Sequence, residues 1–157
     1  MSSALDFSKL KKNIRIFGVV QLALVALLVF MAVNFQGKLR MQGREFRFMH
    51  GVLASFVVEL LLLYPIYKFA TREVERDLAA TGKTLTKEEI TSFTKKKRFS
   101  DIIKISVFGF FVIFMMAAPA DTFILSIIYY SFVLTILTYL QCYNFAARKL
   151  LRDEATR

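Results

Sequence analysis

Long apolar runs alternate with clusters of charged residues along this chain. A helix needs about 20 apolar residues to cross the hydrocarbon core of a bilayer, and most of the runs reach that length. Membrane β-strands would instead show alternating polarity in pieces of about ten residues. The pattern predicts an all-α integral membrane protein with four transmembrane helices in two hairpins. The predicted spans are residues 16–35, 48–69, 102–118 and 122–147.

The third span is the shortest, and Lys104 lies near its start. We expect this lysine to extend its stem towards the headgroup region. Residues 70–101 are expected to form a cytoplasmic helical loop, in which Thr86 and Glu89 match the capping box of a new helix. A break near Ser100 is expected where this helix meets the third span. The whole chain then forms a single four-span domain.

Short segments connect the spans within each hairpin. The first, residues 36–47, is expected to be a loop of about twelve residues. The second, Ala117–Asp121, is predicted to be a tight turn in which Asp121 caps the fourth helix. Gly51 and Ser55 lie four positions apart in the second span, a spacing that permits close approach of another helix.

The distribution of charge predicts the orientation. The net charge is +10, and 17 of the 22 Lys and Arg residues lie on the side that holds both termini and the central loop. Because Lys and Arg are enriched in cytoplasmic loops, both termini are predicted to be cytoplasmic. The expected location is a bacterial inner (plasma) membrane.

Two basic clusters flank the spans and are expected to bind lipid headgroups, with anionic lipids as the favoured partners. A binding site for another anionic ligand or a partner subunit is the alternative for the first cluster. Nucleic acid is not an expected partner, since the second cluster adjoins a membrane span. The residues are Lys38, Arg40, Arg44 and Arg47 in the first cluster, and Lys95, Lys96, Lys97 and Arg98 in the second.

Glu59 is the most informative polar residue, because it lies near the middle of the second span. An ionised carboxylate there costs about 2.5 kcal/mol or more, so we expect it to be protonated, paired or facing a polar cavity. Lys104 is another possible partner, but it should lie two to three turns nearer the cytoplasm. The expected partners within the chain are Gln21, Ser126, Tyr129, Tyr130 and Thr135.

The sequence predicts no catalytic set, cofactor or metal site. His50 is the single histidine and has no obvious serine or cysteine companion, so a nucleophile–base–acid arrangement is not expected. Cys142 is the single cysteine, which excludes an internal disulfide and a multi-cysteine metal site.

The chain resembles small four-span membrane glutathione transferases in length, basic balance and number of spans. The second helix in that family carries an arginine, an asparagine and a glutamate at short spacing. Here Arg47 and Glu59 are twelve positions apart, with no asparagine between them. The resemblance therefore implies a transferase hypothesis, but no site residue is carried over.

Three functional hypotheses follow. The leading one is a non-catalytic protein that acts by assembly, as a homo-oligomeric membrane-shaping scaffold or as a structural or accessory subunit of a larger complex. The second is a small transporter or channel coupled to protons or cations through Glu59. The third is a membrane transferase that uses the basic loop Lys38–Arg47.

Overall fold

A computed structural model describes residues 8–79 and 87–155, and both segments are helical almost throughout. The four helices are α1 (Ser8–Met41), α2 (Glu45–Ala79), α3 (Lys87–Ala117) and α4 (Thr122–Ala155). All four are long and apolar enough to cross a membrane. The expectation of an all-α chain with four candidate spans is confirmed.

Each helix is longer than its predicted span. The helices contain 31 to 35 residues, which corresponds to roughly 47–53 Å at 1.5 Å per residue. A hydrocarbon core is about 30 Å thick, so each helix has a substantial length to spare. Most of this excess lies at the end of the bundle where α1 begins and α4 ends, which we call the terminal end. The opposite end, with the two short turns, is the hairpin end.

The first turn is much tighter than the expected loop of residues 36–47. Helix α1 continues to Met41 and α2 begins at Glu45, which leaves a three-residue connection. Gly43 has a φ of 66°, a conformation that glycine adopts at little steric cost. The backbone N–H of Arg44 donates to the carbonyl of Leu39, 2.9 Å away, which closes the turn.

The second turn follows the sequence prediction. Asp121 Oδ1 accepts a hydrogen bond of 2.7 Å from the backbone N–H of Phe123. This contact satisfies one of the amide groups left without a helical partner at the start of α4. The predicted cap at Asp121 is confirmed.

The predicted break at Ser100 is wrong. Helix α3 runs without interruption from Lys87 to Ala117. Ser100 lies within this helix, and the residue is 4% exposed. No proline or glycine near this position interrupts the backbone hydrogen bonds, and serine alone is tolerated in a helix interior. The capping box that was expected to involve Thr86 lies outside the described residues.

Helices α2 and α4 form the most extensive contact in the bundle, α1 packs mainly against α4, and α3 touches α4 over a smaller area. A Cβ atom at Gly51 would lie 3.1 Å from Ser126 Oγ on α4. Ser55 Oγ donates to the carbonyls of Gly51 at 2.9 Å and of Ile127 on α4 at 3.3 Å. The small residues of α2 thus permit a close approach within this chain.

Candidate functional site in the helix bundle

Glu59 faces α4 and is 8% exposed. Thr135 Oγ1 donates to its Oε2 atom across 3.2 Å. The other carboxyl oxygen, Oε1, is buried and has no hydrogen-bond partner among the described residues. A buried polar atom without a partner costs about 1–3 kcal/mol, so the middle of the bundle contains a carboxyl group with unused bonding capacity.

Thr135 is the one expected partner that the described structure brings to hydrogen-bond distance of Glu59. Gln21 bonds to Asn144 instead, with 3.4 Å between Gln21 Oε1 and Asn144 Nδ2. Ser126 donates to the carbonyl of Phe123 at 2.7 Å.

The two tyrosines that were expected as partners of Glu59 lie nearer the hairpin end than Glu59 does. Tyr129 and Tyr130 both contact the ring of Phe35, each with 6.1 Å between ring centroids. The Tyr130 hydroxyl is buried without a hydrogen-bond partner among the described residues. Neither tyrosine therefore supplements the single hydrogen bond that Glu59 receives.

A denser polar cluster surrounds Glu73 near the terminal end of α2. Lys104 on α3 forms an ion pair with Glu73 Oε1, and Arg76 lies 3.3 Å from the same oxygen. Tyr139 on α4 donates to Oε2 across 2.5 Å. We call Glu73, Arg76, Lys104 and Tyr139 the Glu73 cluster. It ties three helices together through one carboxylate on a residue that is 8% exposed.

Two further contacts reinforce the same end of the bundle. The Tyr143 hydroxyl donates to Asp77 Oδ2 across 2.9 Å. Arg76 also donates to the backbone carbonyl of Lys96 on α3 at 3.0 Å. The polar contacts that hold α3 to α2 thus lie at the terminal end.

The Glu73 cluster was only partly predictable. An acid and a base three positions apart on a helix, such as Glu73 and Arg76, are an ordinary surface pair, and their pairing is visible in the sequence. Lys104 and Tyr139 lie 31 and 66 positions away from Glu73. Their convergence depends on the relative rotation of three helices, which no local pattern specifies.

An apolar cleft separates α2 from α3, with α4 as its floor. Its volume is about 1060 Å³, and its walls include Leu62 of α2, Phe108 and Phe111 of α3, and Phe132 of α4. The ring of Phe132 lies 5.7 Å from that of Phe108 and 5.1 Å from that of Phe111, centroid to centroid. We call this space the α3 cleft. It was not predicted from the sequence, because the periodicity of α3 does not reveal where its neighbours lie.

Acidic groups partly neutralise the first basic cluster, at the hairpin end. Arg40 lies 3.2 Å from Glu45, and Arg44 lies 3.5 Å from Asp121. The guanidinium carbon of Arg47 lies 6.0 Å from the centre of the Phe123 ring, within the usual range of a cation–π contact. Arg44 thus joins the two turns, and Arg47 joins the start of α2 to the start of α4.

The second basic cluster, Lys95 to Arg98, is exposed along α3 at the terminal end. No ion pair joins these four side chains to the described part of the chain. They therefore present positive charge outward from the side of the bundle that also contains the Glu73 cluster.

The side chains most often used in metal and redox chemistry lie apart from one another. Within residues 8–79 and 87–155, no three His, Cys, Asp or Glu side chains form a group that could hold a metal ion. His50 is exposed at the hairpin end, with Nδ1 2.8 Å from the carbonyl oxygen of Phe46. Cys142 is a half-buried thiol on α4.

No protein-family model, curated protein or solved structure matches this chain.

Proposed function

We propose that this chain is a non-catalytic integral membrane protein that acts by assembly. Copies of it associate as a membrane-shaping scaffold, or the chain is a structural or accessory subunit of a larger membrane complex. Both termini lie in the cytoplasm, and the membrane is a bacterial inner membrane. The observation that carries the proposal is the outer surface of α1.

One line of strongly exposed side chains on α1 has a heptad spacing. Residues 19, 22, 26, 29 and 33 are separated by three, four, three and four positions, and we call them the α1 stripe. The exposed fractions of Val19, Leu22, Val29 and Val33 are 66%, 75%, 61% and 67%. This spacing is typical of transmembrane helices that pack at a shallow angle against a partner. Ala26, in the middle of the stripe, allows that partner to approach closely.

Charge at both ends of the bundle supports a role in shaping the membrane. Lys95 to Arg98 extend the cytoplasmic basic surface, and each basic residue near an anionic surface contributes about 1 kcal/mol of attraction. Lys38 and Arg47 lie at the hairpin end, and no ion pair joins either of them to a described acidic residue. Assembly through the α1 stripe would repeat both basic surfaces side by side along the bilayer.

The test compares two valine-to-tryptophan variants after mild detergent extraction. Val29→Trp places a bulky ring in the α1 stripe, whereas Val57→Trp places the same ring on an exposed part of α2, where the valine is 57% exposed. Both changes remain apolar, so insertion should be preserved. Mass measurement should give multiples of the 18.1 kDa chain for the parent protein and Val57→Trp, and a smaller species for Val29→Trp.

Two results would contradict assembly through this face. A parent protein that is monomeric at every concentration would reject the homo-oligomer. If that monomer is also isolated without any other membrane subunit bound to it, the accessory role is rejected as well. Equal masses for the two variants would show that the α1 stripe is not the interface. Electron microscopy of the extracted particles distinguishes a closed oligomer from an extended lattice.

The unpaired Oε1 atom of Glu59 supports a second candidate, a proton- or cation-coupled transporter or channel. A buried carboxyl with free bonding capacity is a common feature of proton pathways in membranes. Glu59→Gln retains the size of the side chain and removes its ability to release a proton. Proton flux in reconstituted vesicles should then disappear while the mass of the assembly stays the same. Absence of flux in the parent protein, or equal flux in both, would reject this candidate.

A further inference from the structure

The α3 cleft contains a polar group that nothing in the described structure satisfies. Ser131 on α4 lines the cleft and is 5% exposed, so it is almost fully buried. Its hydroxyl has no hydrogen-bond partner among the described residues. A serine in a helix commonly donates to the carbonyl four positions earlier, but Ile127 O already accepts from Ser55 of α2 at 3.3 Å. The Ser131 hydroxyl is therefore an unused hydrogen-bond donor on a residue that lines the cleft.

The size of the cleft suits a small molecule. Its floor on α4 extends from Ile127 to Tyr139, which is roughly 18 Å at 1.5 Å per residue. The cleft offers about 1060 Å³. This volume lies at the upper end of the range for small-molecule pockets, roughly 300–1,000 Å³.

The depth of Ser131 indicates that the molecule is uncharged. Ser131 lies nine positions after the first residue of α4, or about 13 Å along the helix. This distance places it near the middle of a hydrocarbon core of about 30 Å. Charged groups are strongly disfavoured there, and phospholipid headgroups lie at the two surfaces.

The walls of the cleft favour a ring. Phe132 lies beside Ser131 in the sequence, and its own ring packs against those of Phe108 and Phe111. Aromatic side chains favour offset or edge-to-face contact with other rings. Towards the terminal end the cleft continues along apolar side chains such as Leu62 and Ile136, which suit a hydrocarbon tail.

We propose that the α3 cleft binds a neutral lipid with a carbonyl-bearing ring and a hydrocarbon tail, such as a quinone. The ring lies against Phe108, Phe111 and Phe132, and its carbonyl oxygen accepts a hydrogen bond from the Ser131 hydroxyl. The tail follows α4 towards Tyr139. This site does not depend on assembly through the α1 stripe, so the two proposals can fail separately.

The first experiment locates the site without a mutation. The full chain is reconstituted into nanodiscs of a single zwitterionic phospholipid and exposed to a benzoquinone whose decyl tail carries a photoreactive diazirine. Crosslinked peptides should come from the segments of α3 and α4 that line the cleft. Labelling confined to the outer face of α1, or absence of specific labelling, would overturn the proposal.

The second experiment tests the hydrogen bond. Decyl-benzoquinone should compete with the probe better than decylbenzene, which has the same tail but no acceptor oxygen. Ser131→Ala should weaken the competition by decyl-benzoquinone two- to tenfold and leave that by decylbenzene unchanged. Ser100→Ala is the matched control, because Ser100 is equally buried with an unpaired hydroxyl but does not line the cleft.

Three outcomes would contradict this assignment. They are equal competition by the two compounds, an unchanged affinity in Ser131→Ala, and an equal loss in Ser100→Ala. Should Ser131→Ala fail to fold, as judged by its helical circular dichroism, Ser131→Thr retains a hydroxyl and should retain the preference for decyl-benzoquinone. Loss of that preference in a folded Ser131→Thr protein, with labelling outside the cleft, would also reject the site.

Discussion

At the scale of single residues, two acidic side chains in α2 have opposite surroundings. Glu73 is contacted by Lys104, Arg76 and Tyr139, whereas Glu59 receives one hydrogen bond from Thr135. The sequence draws attention to Glu59, because a charge inside an apolar run is conspicuous. It does not distinguish Glu73 from other charged residues beyond the span, since its burial results from tertiary packing alone.

Removal of the Lys104 ammonium should weaken the attachment of α3. Lys104→Met preserves the length of the side chain but leaves Glu73 with Arg76 and Tyr139 as partners. Loss of one partner of a buried charged group costs about 1–3 kcal/mol or more. The midpoint of thermal unfolding in detergent should therefore fall.

Lys68→Met is the matched control for this prediction. Lys68 lies towards the same end of α2, is exposed, and its ammonium lies 6.0 Å from the centre of the Tyr64 ring. An exposed contact of this kind contributes about 0.5–1 kcal/mol, so its loss should change the midpoint less. Equal midpoints for Lys104→Met and the parent protein would show that the ion pair does not hold α3 in place.

At the scale of elements, the apolar runs predicted the number and type of the helices but not their full lengths. Polar residues that flank a span, such as Gln36, Lys38 and Arg40, continue the helix at no great cost because they have good helix propensity. The turn is set by Gly43, and the cap at Asp121 follows from local chemistry. The separation of α3 from α2 was not predictable, because it depends on contacts between distant segments.

Close packing of α2 on α4 should depend on Gly51. Gly51→Leu introduces a side chain whose Cβ atom alone would lie within 4 Å of Ser126 Oγ, Phe123 and Ile127. Overpacking of this kind costs about 1–3 kcal/mol. The variant should unfold at a lower temperature and lose the Ser55 hydrogen bond to α4.

Gly109→Leu provides the comparison, since a Cβ at Gly109 of α3 has no atom within 4 Å. Its unfolding temperature should equal or exceed that of the parent protein, because leucine has a higher helix propensity than glycine. A greater loss of stability in Gly109→Leu than in Gly51→Leu would contradict the packing described for α2 and α4.

At the scale of the whole molecule, α1, α2 and α4 pack together, and α3 lies to one side across the cleft. The Glu73 cluster holds α3 at the terminal end, and the Ala118–Asp121 turn holds it at the hairpin end. This arrangement leaves two surfaces with separate proposed uses. The α1 stripe serves association with another protein, and the α3 cleft serves a neutral lipid.

The most direct test of assembly counts the chains in a bilayer without detergent extraction. Each chain carries one fluorophore, and photobleaching steps are counted in vesicles over a range of protein-to-lipid ratios. We expect multiple steps per particle for the parent protein and Val57→Trp, and a shift to single steps for Val29→Trp. Single-step bleaching of the parent protein at every ratio would contradict self-assembly.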